Sequence, residues 1–337
     1  MTTTPLKTLP GIITEAQNLQ PIMCLFGVPG VGKSTTGSQT EDPIFIPLEE
    51  GVENIDVHRF PVATTLDQFL ENLKAVAHGD HGYKTVVIDT LNRLMDLYHQ
   101  AKKDIPGEKG KPLYDFVGYG GTSGWTAVAK DIRREVIPLL MTCKRRGMLV
   151  LVLAHTGQYT RNNPLGDNMV VSAPSIPKPV WLELHGDFDV IGRADYVYST
   201  STVSKDRDGR TTKAKASTDE EIVDGARVKA RRLTFAGGAE DDCKTRVGYE
   251  LPATLPLSWA AIRENLGNIN KLVAEIRDLW RYLPPDSAAK TLAWLGRSNL
   301  DDIAKASRSK LSQLRNRLIE LRDEAEAVAS MHTTPDA

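Results

Sequence analysis

Gly27-Val28-Pro29-Gly30-Val31-Gly32-Lys33-Ser34 is the stretch on which the reading of this chain turns. It spells G-x-x-x-x-G-K-S, the pattern of a loop that cradles phosphate groups. Just before it, Ile22, Met23, Cys24, Leu25 and Phe26 form a short apolar run, as a buried parallel strand does. Just after it, Ser34 to Gln39 predict a helix. A strand, a glycine loop and a helix N-terminus together aim several backbone N–H groups at one point. The glycines let the backbone approach a phosphate without a Cβ in the way. Gly27, Val28, Pro29, Gly30, Val31, Gly32, Lys33, Ser34 and Thr35 are therefore the expected nucleotide-binding set. ATP and Mg²⁺ are the expected ligands. Lys33 would reach the β- and γ-phosphates, and Ser34 would hold the metal.

The chain has 337 residues, room for one large α/β domain plus an appendage. Its 41% apolar and 25% charged content are those of an ordinary globular protein. A formal net charge of −1 gives no whole-molecule field toward nucleic acid, so any such surface must be local. Cys24, Cys143 and Cys243 are widely spaced and form no C-x-x-C, which argues against a zinc ribbon or a disulfide framework and suits a reducing cytoplasm. Met1 to Pro10 lacks a charged-then-apolar signal pattern. The longest apolar run, Met148 to Ala154, is too short to span a bilayer, so no membrane partner is expected.

Outward from the loop, residues 1–20 read as a lead-in, and Ile44 to Ile46 as a second strand ending at Pro47-Leu48-Glu49-Glu50-Gly51. Leu66 to Ala77 reads as an amphipathic helix, Thr85 to Thr90 as a β-branched strand, and Leu91 to Lys103 as a helix. His78 to Gly82 reads as a solvated turn rather than a metal site. Asp104 to Gly124 predicts a long mobile loop, and Trp125 to Arg146 a long helix kinked at Pro138. The strand Met148 to Ala154 is expected to end at His155, with a proline-bearing loop from Thr156 to Pro179. Later strands are expected at Tyr196 to Tyr198 and Val228 to Phe235, separated by a polar, basic stretch at Ser204 to Ser217. From about Glu264 the pattern is helical only, and the stripe Leu311, Leu314, Leu318, Leu321 suits a core or a subunit contact. The expected division is a core over 21–262, a helical segment over 265–330 and a tail over 331–337.

Hydrolysis needs an acid for Mg²⁺, a group that activates water and a sensor of the γ-phosphate. In a parallel α/β sheet such groups gather at the carboxyl ends of strands. Asp89 ends a buried strand and is the candidate metal acid, acting through water. Glu49 and Glu50 end the second strand, and one of them would polarise the attacking water. His155 ends another strand and could hydrogen-bond the γ-phosphate.

Glu at the end of the second strand, Asp on the third and a polar residue on the next resemble the RecA-like order. AAA+ proteins differ: their catalytic Glu follows the acid, whereas Thr90 follows Asp89 here. Phe45-Ile46-Pro47-Leu48-Glu49-Glu50 resembles the strand-end Glu of RecA and the paired glutamates of KaiC. Val87-Ile88-Asp89-Thr90, Leu153-Ala154-His155 and Cys243-Lys244-Thr245-Arg246 with Tyr249-Glu250-Leu251-Pro252 resemble RecA-like ATPases of tailed phages, a group that includes single-strand-annealing recombinases. The resemblance implies an α/β fold: a RecA-like P-loop NTPase core, mostly parallel, with a small C-terminal helical appendage. It implies an ATPase in a ring or filament that binds single-stranded DNA in the host cytoplasm. It places DNA-binding loops at 104–124 and 157–180. There Lys102, Lys103, Lys109, Lys111, Arg161 and Lys178 would meet phosphates, and Tyr119 and Tyr159 would stack on bases. It also implies that Lys244 and Arg246 reach a neighbouring subunit's γ-phosphate. The alternatives are a DnaB-like hexameric helicase motor, disfavoured by the lack of a helical domain before the loop, and a KaiC-like regulator that binds no DNA.

Overall fold

The computed structural model describes residues 19–107, 112–117, 122–163, 166–200, 216–223, 226–238, 241–246, 249, 251–266, 269–306 and 308–331. The chain divides into two units, one comprising Leu19–Arg246 and Leu251–Asn265, the other formed, among the described residues, chiefly by the segment from Leu266 onward.

The apolar run before the glycine loop is β1 (Ile22–Gly27), and every residue in it is buried. The loop leads into α1 (Lys33–Ser38), one residue earlier than the sequence suggests. Then follow β2 (Pro43–Pro47), β3 (His58–Arg59), α2 (Leu66–His78), β4 (Thr85–Asp89) and α3 (Leu91–Lys102). The start of α2 is fixed by a capping box: Thr65 accepts from the Gln68 N–H while the Gln68 side chain turns back to the Thr65 N–H. The 122–145 segment is interrupted near Pro138, as expected, with Val136 alone between two helices and still helical in its backbone. α4 (Thr122–Glu135) stops before α5 (Ile137–Arg145), because Pro138 has no N–H to continue the ladder but fits the first turn of a new helix.

The largest departure from the sequence reading lies in the stretch expected to loop from Thr156 to Pro179. β5 (Leu149–Arg161) runs straight through His155, and its distal half pairs antiparallel with β6 (Met169–Pro174), Thr156 opposite Pro174 and Arg161 opposite Met169. α6 (Lys178–Leu184) follows, with Pro179 in its first turn. The prolines end the ribbon and start the helix; they do not prevent structure. Likewise, the described part of 104–124 is docked rather than mobile: Tyr114 is buried and donates to Asp131, and Phe116 packs edge-on against Trp125.

The chain then forms β7 (Val190–Tyr196), β8 (Tyr198–Thr200), β9 (Ala216–Thr218), β10 (Glu220–Val223), β11 (Ala226–Lys229), β12 (Arg231–Thr234), β13 (Lys244–Thr245) and β14 (Thr254–Pro256), with α7 (Trp259–Asn265) closing this unit. Thus the expected Val228 to Phe235 strand is two, broken at Ala230, and most of the basic stretch 204–217 lies outside the described residues. The sheet order is β14-β12-β7-β1-β5-β4-β2-β3. β1 pairs in parallel with both β5 and β7, and β4 and β2 continue the parallel series, while β12 and β14 add an antiparallel edge. Both faces of the parallel strands are covered, which is why β1, β4 and the first half of β5 read as unbroken apolar runs.

In the second unit, α8 (Ile269–Leu279), α9 (Pro285–Leu295) and α10 (Arg308–Met331) close over their own apolar cluster. Leu311, Leu314 and Leu318 of the leucine stripe are buried in it, with Leu321 packed at its margin. Among the described residues no helix is long and apolar enough to cross a membrane.

Candidate active site

The glycine loop sits at the carboxyl end of the central strand, with Gly27 beside His155 on one side and Ala194 on the other. Gly30 and Gly32 have φ of 74° and 109°, backbone that residues with a Cβ rarely adopt. Lys33 is buried, and its Nζ lies 3.0 Å from the Gly27 carbonyl and 3.1 Å from that of Val28, folded back over the loop. Burial lowers its pKa, and the charges of Asp89 and Glu49 oppose that shift.

Asp89 ends β4 directly beside the loop, and the Ser34 hydroxyl donates to it at 2.6 Å. Burial raises the Asp89 pKa; the Ser34 hydrogen bond opposes this, Glu49 adds to it, and Lys33 and His155 oppose it. A hydroxyl and a buried carboxylate in contact are the hard oxygen donors that Mg²⁺ takes when the phosphates of a nucleotide supply the rest. Among the described residues there is no cluster of three or more His, Cys, Asp or Glu that could hold a metal without such help.

Glu49, just after β2, and His155, in β5, meet across β4: His155 Nε2 lies 3.2 Å from Glu49 Oε1. An ionised Glu49 can only accept, so the facing ring nitrogen carries the proton. The other ring nitrogen, Nδ1, is buried and has no hydrogen-bond partner among the described residues. Glu50 does not join this group. It points to solvent beside Glu53, and the hydrogen bond with Glu53 raises its pKa. Of the two strand-end acids, then, only Glu49 faces the site.

The ribbon groups its own predicted residues. Tyr159 donates to Asp242 at 2.6 Å, Arg161 pairs with the same carboxylate, Trp181 Nε1 donates to it at 2.8 Å, and the Lys178 ammonium sits 4.9 Å from the centre of the Tyr159 ring. Arg161 and Tyr159 are thus engaged with one acid, and one face of Tyr159 is covered. Lys102 pairs with Asp131 at 3.5 Å and Lys103 reaches Asp104 at 4.0 Å, while Lys109, Lys111 and Tyr119 lie outside the described residues. Lys244 and Arg246 lie at the opposite end of the sheet from the loop, because β13 pairs with the start of β7. Lys244 donates to the His185 carbonyl. Arg246 donates to the Gly186 carbonyl and to Asp189 at 3.3 Å.

Three residues at the site lie outside the expected set. Asn92, in the first turn of α3, accepts from the His155 N–H at 2.7 Å and donates to the Ser175 carbonyl at 2.5 Å, while Ser175 N–H donates to His155 O. It thereby clamps the point where β5 leaves the main sheet and enters the ribbon. On the other side of the loop, Tyr196 donates to the Gly30 carbonyl at 3.2 Å and Arg231 Nη1 lies 3.5 Å from the Val31 carbonyl. A polar residue three positions after a strand-end acid was a usable hint for Asn92. Tyr196 and Arg231 sit in strands whose neighbours the sequence does not reveal.

A strand, a phosphate loop, a buried acid on the next strand but one, and a second acid beyond it define a P-loop NTPase on a mixed α/β sheet. The chain belongs to the AAA domain family (AAA_24), whose model matches residues 20–228, and it is an ATP-hydrolysing enzyme of that family. Among solved structures, the crystal structure of the RadB recombinase is similar over 62% of this chain and 91% of that chain, with 11% identity and a TM-score of 0.34. No functionally curated protein matches the chain.

Proposed function

We propose that this ATPase hydrolyses ATP with Glu49 as the base that polarises water and His155 as the group that senses the γ-phosphate, and that it acts on single-stranded DNA. The observation that supports the coupling is the continuity of β5: the strand that presents His155 beside Glu49 is the strand that carries Tyr159 and Arg161. Lys33 would exchange its two loop carbonyls for phosphate oxygens, which do not leave its charge buried among neutral groups. The Ser34 hydroxyl and the Asp89 carboxylate would hold Mg²⁺, Asp89 through water. When bound, the ion neutralises charge on the phosphate oxygens. Glu49, freed from His155 as that ring N–H turns to a γ-oxygen, would hold the proton of the attacking water. Displacement of His155 would be felt at Asn92 and Ser175, at the root of the ribbon.

The experiment is the ATPase rate with and without single-stranded DNA, repeated across a salt series. Stimulation that falls steeply with salt is expected if the ribbon lysine and arginine meet phosphates. One observation favours the second reading, a nucleotide-gated regulator without DNA: Asp242 already occupies Arg161 and Tyr159. A rate indifferent to DNA at all salt concentrations selects that reading. Assembly into a ring or filament, in either case, is part of the proposal.

A further inference from the structure

The hydrolytic groups all lie on one side of the central strand. Glu49 follows β2, and Asp89 and His155 lie in β4 and β5. β7 and β12 lie on the other side of β1, and their ends meet the glycine loop. Tyr196 holds the Gly30 carbonyl, and Arg231, its partner in the β7–β12 register, packs against the loop so closely that a Cβ on Gly32 would stand 2.8 Å from Arg231 Nη1. Leu257 would stand 3.7 Å from the same point. The Lys229 ammonium lies 5.4 Å from the centre of the Tyr196 ring.

A triphosphate whose γ-phosphate lies among Glu49, Asp89 and His155, with its β-phosphate on the loop N–H groups, has one direction left for the remainder of the molecule. That direction is across the loop, toward β7 and β12. We infer that Arg231, backed by Leu257 and set beside Tyr196 and Lys229, forms the nucleoside end of the site. Its planar guanidinium presents a flat cationic face to the π-system of the base, with an apolar side chain next to it. A guanidinium suits this contact better than an ammonium, because it stacks as a plane as well as attracting as a charge. The inference rests on the phosphate-loop reading but assigns a different part of the ligand.

The test is equilibrium binding of ATP, ADP and inorganic tripolyphosphate, each with Mg²⁺, to the full chain and to R231A and R231K. Arg231→Ala is expected to weaken ATP and ADP about tenfold while leaving tripolyphosphate unchanged. Unchanged tripolyphosphate binding also shows that the loop is still folded. Arg231→Lys is expected to recover less than half of the lost affinity in free-energy terms, since it restores charge without the plane. Equal losses for all three ligands would overturn the assignment, as they would make Arg231 a phosphate or folding residue. So would full recovery in R231K, or a wild-type protein that binds tripolyphosphate as tightly as ATP.

Discussion

Replacing Glu49 by Gln tests the hydrolytic assignment at its narrowest point. The change removes one negative charge and keeps the side chain's shape. In the folded protein the carboxylate accepts from His155 Nε2 at 3.2 Å, and both side chains are about 30% exposed. A pair this open to water contributes at most about 1 kcal/mol. The amide oxygen can still accept from the same ring N–H, so even that is only partly lost. The melting temperature should therefore fall by less than about 4 °C. The catalytic loss is of another size. A positioned base contributes about 10²–10⁴ in rate, equal to roughly 2.7–5.4 kcal/mol of barrier.

The assay is steady-state phosphate release at saturating Mg·ATP, with ATP affinity measured separately by titration. Glu49→Gln should keep ATP affinity within about threefold and lose at least a hundredfold in kcat. Glu50→Gln, at a side chain that faces solvent beside Glu53, should turn over at the wild-type rate. A Glu49→Gln enzyme with normal kcat would refute the assignment of the base. If Glu50→Gln alone were slow, the loop after β2 would have to reorganise on binding nucleotide.

Three further outcomes are expected. Burial raises the Asp89 pKa above its ordinary 3.8, so its contribution to stability is full below that value and is lost as pH rises through the higher folded value; at neutral pH Asp89→Asn should raise the melting temperature of nucleotide-free protein while abolishing Mg²⁺-dependent turnover, and a lower melting temperature would contradict this. Asn92→Ala, which releases the His155 N–H and the Ser175 carbonyl, should lower kcat about tenfold at unchanged ATP affinity in steady-state kinetics and a separate titration. Arg246→Ala takes one of two cations from Asp189 and leaves Lys144 at 2.6 Å, so stability should fall by about 1 kcal/mol in a melting experiment; recovery of turnover on mixing with Lys33→Ala subunits would give Arg246 a second role at a neighbour's nucleotide.

The central part of this site was legible because it is built from contiguous sequence. The loop, the strand before it and the acid ending β4 each announce themselves within about eight residues. Glu49 was legible as an acid just past a strand; His155 was expected to end its strand but lies inside β5, and the contact between the two was not legible, since it depends on β2 and β5 flanking β4. The choice between Glu49 and Glu50 turns on which way one side chain leaves the chain after Pro47, and no periodicity records that. The ribbon was misread for a physical reason. Gly157 and Pro174 are loop-forming residues by composition, but a two-stranded ribbon tolerates proline at its end, and Gly157 is needed where a Cβ would come within 2.8 Å of the Ser175 backbone. Pro138 is legible as a disruption, because it has no N–H to donate and sits in the first turn of the helix that resumes after Val136.

The Lys-Thr-Arg segment carries the argument from the single chain to its assembly. Asp189 accepts from the N–H of Ile22, the first residue of β1, and holds Arg246 there. The phosphate loop begins where β1 ends, five residues later. At roughly 3.3 Å per residue that separation is about 17 Å, far beyond the length of an arginine side chain. Arg246 therefore cannot serve the nucleotide of its own chain. A neighbour could receive it only by presenting its phosphate loop to the other end of this sheet, so that unlike surfaces meet. Contacts between unlike surfaces repeat head to tail and generate either a closed ring or an open filament. A role for Arg246 in trans and a two-fold dimer built on one self-complementary patch are thus competing predictions. In the first case mixed Lys33→Ala and Arg246→Ala subunits recover turnover in assemblies larger than a dimer. In the second, Arg246 remains an anchor for Asp189 and the mixture stays inactive.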